Sequence, residues 1–166
     1  MLHNLLKKLD EKESYKVASA HCDIPCKIYD PATTIIAALT VVRMDDIIAE
    51  WKENRPEDDA EYIATLSRAV AQKEEHAEQV KHDIRVIWGD YIKAPQLETH
   101  PQIHELVHTI MLQGSACKQK FNREDAVKLV DLVNQFAEIF WETRNVRTKR
   151  AVCPYPPALE VVYTDL

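Results

Sequence analysis

The stretch His21-Cys22-Asp23-Ile24-Pro25-Cys26-Lys27-Ile28-Tyr29 holds the densest metal-binding chemistry in this 166-residue chain. Consider the chain cut after Ala20, where Ala18-Ser19-Ala20 reads as a small-residue cleavage site. His21 then offers an α-amine and an imidazole on one residue, and Cys22 offers a backbone amide nitrogen and a thiolate. Amine, amide and Cys22 sulfur are each separated by two atoms, so binding one metal closes two adjacent five-membered chelate rings. Such rings hold their donors near right angles in a plane. Pro25 restricts the chain and helps return Cys26 to the fourth corner. The result is a square-planar set of two nitrogens and two sulfurs, the geometry of Cu(II) or Ni(II), with the His21 imidazole free to bind axially. Strong anionic donors stabilise a higher oxidation state, which suits a metal that cycles. On the residues alone, a structural zinc pair or a local disulfide at Cys22 and Cys26 stays open.

A second constellation, His104-Glu105-Leu106-Val107-His108, is an HExxH pattern on a predicted helix, the signature of zinc metalloproteases. Its longer form fails here, because Met111 stands at the glycine position and Gly114 at the third histidine position. No third ligand is evident, and no strand-rich lobe offers itself to a peptide. A non-enzymatic metal-binding helical bundle is the third class. Its ferritin-like form needs Glu-x-x-His on two helices, which Asp90 to Lys93 and Glu142 to Asn145 do not supply. Cys117 and Cys153 read as bystanders.

These residues must be positioned by helices. Asp30-Pro31 reads as a cap followed by proline at the first helical position. The pattern then predicts a helix over 31–53 with Ile36, Leu39, Ile47 and Trp51 inward. A long second helix runs over 57–93, its inner stripe formed by Tyr62, Leu66, Ala69, Ala77, Val80, Ile84, Ile87 and Tyr91. Ala94-Pro95 ends it. His76 lies on that stripe, and a polar group there needs a partner. A third helix is predicted over 101–112 with Ile103, Leu106, Val107 and Ile110 inward, followed by a polar loop over 114–122. A fourth covers 123–145 with Leu129, Val133, Phe136 and Phe140 inward. The expected fold is all-α, an antiparallel four-helix bundle over 31–145. Before it stand a leader (1–20) and a metal-binding hook (21–30); after it comes an extended C-terminal arm (146–166).

Composition agrees with a helical domain. There are two glycines, too few for the tight turns of an all-β fold, and 46% hydrophobic against 29% charged residues, a globular balance. The net charge is −6, although residues 1–20 carry four lysines against three acidic residues. That charge argues against nucleic-acid and anionic-membrane partners. No run reaches the roughly 18 apolar residues of a membrane span. Asp10-Glu11-Lys12-Glu13-Ser14 interrupts any secretory apolar core, so a cytoplasmic location is expected.

The hook HCDIPC-x-x-Y-DP resembles the nickel hook of the nickel-containing superoxide dismutases. Trp88-Gly89-Asp90-Tyr91-Ile92-Lys93 is similar to that family's W-x-D-Y-F-K segment, and Phe140-Trp141-Glu142-Thr143-Arg144 to its FWET-basic ending. The resemblance spans about His21 to Arg144. It implies disproportionation of superoxide by Ni(III)/Ni(II) cycling, one nickel ion per subunit, a four-helix bundle assembled into a homohexamer, and a maturation peptidase that cuts between Ala20 and His21. It implies His21, Cys22 and Cys26 as nickel ligands, Tyr29 and Tyr91 as the tyrosines lining the approach, and Asp23 as a shaper of that pocket. The chain departs from the pattern in two places. Lys27 replaces the usual glycine after the second cysteine, at a cost of about 1–2 kcal/mol if positive φ is needed there. Ala37 and His76 stand where the family can place a Glu and an Arg that hold the axial imidazole. His76 is therefore a candidate to hydrogen-bond the His21 ring, the other reading being a core histidine satisfied by a backbone carbonyl.

Overall fold

The computed structural model describes residues 26–166. The leader (1–20) and the hook residues His21, Cys22 and Asp23 lie outside the described residues. The chain is mostly helical. Helix α1 spans Ala32–Glu53 and helix α2 spans Asp59–Val86, continuing into one wide π-helical turn, Ile87–Tyr91. A short α3 (Ala94–Thr99) leads to α4 (Ile103–Gln119) and α5 (Arg123–Glu142). Two strands follow, β1 (Thr148–Val152) and β2 (Glu160–Thr164).

Three of the helix starts have a local cause. Asp30 Oδ1 accepts from the Ala32 amide at 2.8 Å, and Pro31, whose fixed φ suits a helix entry, precedes it. The Asp58 side chain accepts from the amides of Ala60 and Glu61, and the Asn122 side chain from that of Glu124. The apolar faces then meet. Helix α1 packs on α2 and α5, and α4 packs on the same two helices. Val80 and Ile84 of α2, Ile103 and Ile110 of α4, and Leu129, Val133, Phe136 and Phe140 of α5 are fully buried between them.

Three sequence expectations are corrected. Ile36 is 55% exposed, and the inward face of α1 is carried by Ile35, Ala38, Leu39 and Val42. Helix α4 does not stop at Leu112 but runs through Gly114 to Gln119. Gly114 serves close approach rather than a turn: a Cβ there would sit 2.9 Å from Cγ of Lys81. Helix α2 with its π turn does end before Ala94-Pro95, as expected, and the same pair also opens α3, since proline suits a first helical turn.

The expected extended arm is instead an antiparallel hairpin, Thr148 opposite Thr164 and Val152 opposite Glu160, folded onto α5. The buried Asn134 clamps its outer edge, donating to Glu160 O at 2.9 Å and accepting from the Val162 amide at 3.1 Å. Arg150 forks onto Glu138 and also reaches Asp131.

Candidate metal centre

The hook emerges from the undescribed residues at Cys26, whose thiol is exposed and in no disulfide. Lys27 follows with φ +60°, the left-handed region that glycine enters freely and lysine does not. Its carbonyl accepts a hydrogen bond from Nη2 of Arg144 at 3.2 Å. The same guanidinium lies over the Tyr91 ring, 4.9 Å from its centroid, and near the Phe140 ring at 5.5 Å. Tyr29, half-buried, stacks obliquely on Tyr91 with centroids 5.8 Å apart. Tyr91 in turn leans on Phe140 at 5.0 Å.

Tyr91 owes its position to the π turn, closed by the bond from the Ile92 amide to Ile87 O. Its hydroxyl lies 2.7 Å from Oγ1 of Thr143. That threonine hydroxyl already donates to Phe140 O at 2.7 Å, so its proton is spent there and Tyr91 is the donor between the two. The phenol oxygen therefore presents lone pairs, not its proton, to the rest of the site.

Three sequence segments separated by more than fifty residues each thus converge: Lys27 and Tyr29 from the hook, Tyr91 from the π turn, and Thr143 and Arg144 from the end of α5. Beside them a crevice of about 90 Å³ is lined by Ile28, Tyr29 and Asp30, by Thr33 of α1, and by His82, Asp83 and Val86 of α2. His76 is not part of that lining. It is half-buried, and its Nδ1 bonds Gln72 O at 2.7 Å, which leaves Nε2 as the acceptor of the neutral ring. His82 and Asp83 carried no signal in the sequence, while Thr143 stood in the FWET segment without a stated role. Arg144 had one, as the basic residue closing the FWET segment, but its reach to Lys27 could not be read from spacing.

The other two cysteines among the described residues are poor donors. Cys117 is buried, and burial pushes its thiol up to about 12; Cys153 is buried and donates to Tyr155 O. The HExxH helix does other work: Nδ1 of His104 accepts the Trp88 indole N–H at 3.0 Å, and the rings meet edge to face at 5.6 Å. Among the described residues no group of three or more His, Cys, Asp or Glu is placed to hold a metal.

Over residues 16–144 the sequence matches the family profile of the nickel-containing superoxide dismutases. The chain belongs to that family. The superoxide dismutase [Ni] of Streptomyces coelicolor is 37% identical over 126 residues, which are 76% of this chain and 89% of that one. The enzyme of Streptomyces seoulensis gives the same figures. A native nickel superoxide dismutase structure at 1.30 Å superposes with a TM-score of 0.65 and 35% identity, covering 75% of this chain and 99% of its own. A second, with nickel ligation of the oxidised state, gives 0.64 and 36% over the same shares. Membership makes the protein an oxidoreductase acting on superoxide, with nickel as its metal. The exposed, unpaired Cys26 thiol fits that metal as a thiolate donor. The hairpin, by contrast, lies beyond the family match.

Proposed function

We propose that the chain acts once trimmed to His21. The His21 amine, the Cys22 amide and thiolate, and the Cys26 thiolate would then hold one nickel ion, with the His21 imidazole as a further donor. Bound there, nickel would supply a one-electron Ni(III)/Ni(II) couple, which two superoxide ions and two protons need to become dioxygen and hydrogen peroxide. The convergence of Lys27 and Tyr29 with Tyr91 and Arg144 carries this reading, because it builds a wall beside Cys26 from the three segments that resemble the family.

Each residue of that wall has a task. Tyr29 and Tyr91 line the approach to the metal. Since the Tyr91 proton is committed to Thr143, its oxygen orders a water rather than giving up its own proton, and that water is the nearer proton source. Asp23 shapes the same pocket from the hook. Lys27 and Arg144 put two positive charges beside Cys26 in a chain of net charge −6, a local bias toward an anionic substrate.

The helix packing is read as an antiparallel four-helix bundle that serves as the scaffold. A cytoplasmic homohexamer and a maturation peptidase cutting between Ala20 and His21 complete the proposal. No helix among the described residues is long and apolar enough to cross a membrane.

The test compares the full chain with chain beginning at His21, each incubated with nickel. In the full chain the His21 nitrogen is a peptide amide, so one chelate donor is missing. Stoichiometric nickel and dismutase activity are expected in the trimmed form alone. Full activity in uncut protein would overturn the gating by proteolysis.

A further inference from the structure

Lys27 sits in a backbone conformation its side chain opposes, and among the described residues Arg144 bonds its carbonyl. The left-handed φ of +60° disfavours a lysine by about 5- to 30-fold in population relative to a glycine. Lys27 is exposed, so packing around its own side chain does not explain the geometry. The carbonyl of the turn accepts from Arg144 across 117 residues of sequence. Arg144 is itself constrained, its plane resting on Tyr91 and Phe140. A guanidinium can stack and donate at once because its N–H groups lie in the ring-parallel plane.

From this we infer that Arg144 is a positioning residue: it holds the left-handed turn after Cys26, and so sets the direction of the Cys26 thiolate, while bracing Tyr91. It replaces the conformational freedom that a glycine at 27 would provide. The inference rests on Cys26 being a nickel ligand only for its consequence in metal binding; the coupling of Arg144 to the turn stands on the described residues alone.

Two measurements separate these parts. The first needs no metal. In the full chain, trypsin cutting after Lys27 reports how firmly the turn is held. Arg144→Ala is expected to speed that cut about tenfold with the melting temperature nearly unchanged, and Arg144→Lys to fall between, since lysine donates without stacking. An unchanged cutting rate in Arg144→Ala overturns the inference whatever the metal does.

The second uses chain beginning at His21 and measures nickel affinity by competition with a chromophoric chelator. Arg144→Ala should weaken nickel about tenfold, Lys27→Gly alone should change it little, and Lys27→Gly added to Arg144→Ala should restore most of the loss. A double variant as weak as Arg144→Ala would mean that Arg144 does not act through the turn, and would overturn the claim. If trimmed wild type binds no nickel, the proposed function fails, while the proteolysis result still decides the role of Arg144.

Discussion

Replacing Lys73 by methionine should destabilise the protein without touching its metal chemistry. Lys73 is 1% exposed, and its ammonium donates to Asp45 Oδ1 and to Lys120 O, both at 2.6 Å. The pair ties α1 and α2 to the loop between α4 and α5, and the Phe121 ring lies 5.0 Å from the same ammonium. Removing one partner of a buried pair leaves an uncompensated charge, at a cost of about 3–5 kcal/mol. At about 2–4 °C per kcal/mol for a chain of this size, the melting temperature should fall by roughly 10 °C.

The loss should also depend on pH. Burial holds the Asp45 carboxyl above its ordinary value of 3.8, against the lowering effect of the Lys73 hydrogen bond and charge. A carboxyl raised in the folded state binds its proton more tightly there than in the unfolded chain. Stability therefore falls as pH rises from 3.8 through the folded value, and is level above it. Without Lys73 the folded value climbs further, so the deficit of the variant is full near neutral pH and shrinks on acidification. Thermal melts at about pH 7.5 and about pH 5 read the difference directly. Asp45→Leu added to Lys73→Met should recover much of the loss, because no lone charge remains. An equal deficit at both pH values, or no recovery in the double variant, would refute the reasoning. The pair sits near the start of α5 and Arg144 just past its end, about 30 Å apart along that 20-residue helix, so nickel content of trimmed protein should not change.

Three further outcomes are expected. Cys26→Ser should abolish nickel-dependent activity with a melting curve near wild type, since Cys26 lies outside the helices; loss of folding would point to a structural zinc or disulfide instead. His76→Ala should retain nickel but slow turnover about 10–100-fold if its Nε2 anchors the His21 ring, and an axial nitrogen coupling identical to wild type in the paramagnetic resonance spectrum would reduce His76 to a partner of Gln72. His104→Ala removes the acceptor of the Trp88 indole, so a stability loss of about 1 kcal/mol is expected with dismutase activity kept; stoichiometric zinc lost on this change would favour the metalloprotease reading.

The helices were largely legible because their apolar spacing follows the helical period: the inward residues expected on α5, Leu129, Val133, Phe136 and Phe140, are all fully buried. What failed shares a cause, namely single residues with two possible uses. Gly114 reads as a loop residue but makes room for the Lys81 stem. A lysine reads as solvent-facing, yet Lys73 is enclosed by Asp45, Lys120 O and Phe121, none of which is near it in sequence. The hairpin was hidden by Pro154, Pro156 and Pro157 between its strands, although Glu160-Val161-Val162-Tyr163-Thr164 carries the β-branched residues of a strand. At the candidate site the hook showed its chemistry through local spacing, whereas the residues that hold it, Arg144 and Thr143, depend on where helices end in space.

Helix ends are the organising feature of the site. Regular helices satisfy their own backbone groups except in the first and last turns, and the site uses such places. Asp30 caps the start of α1 beside Tyr29. The π turn at the end of α2 presents Tyr91, and Gly89 O within it accepts from Lys93. The end of α5 offers Phe140 O to Thr143, and the chain just beyond it sends Arg144 to Lys27. The start of α1, the end of α2 and the end of α5 therefore share one end of the molecule. A helix that starts there must run away from it, and two that finish there must return. With α4 preceding α5 through the short loop 120–122, α4 runs away as α1 does. The proposed antiparallel bundle draws its support from these contacts of the site. Residues 26–30, which belong to no helix, gain a cradle by being gripped where three helix termini meet.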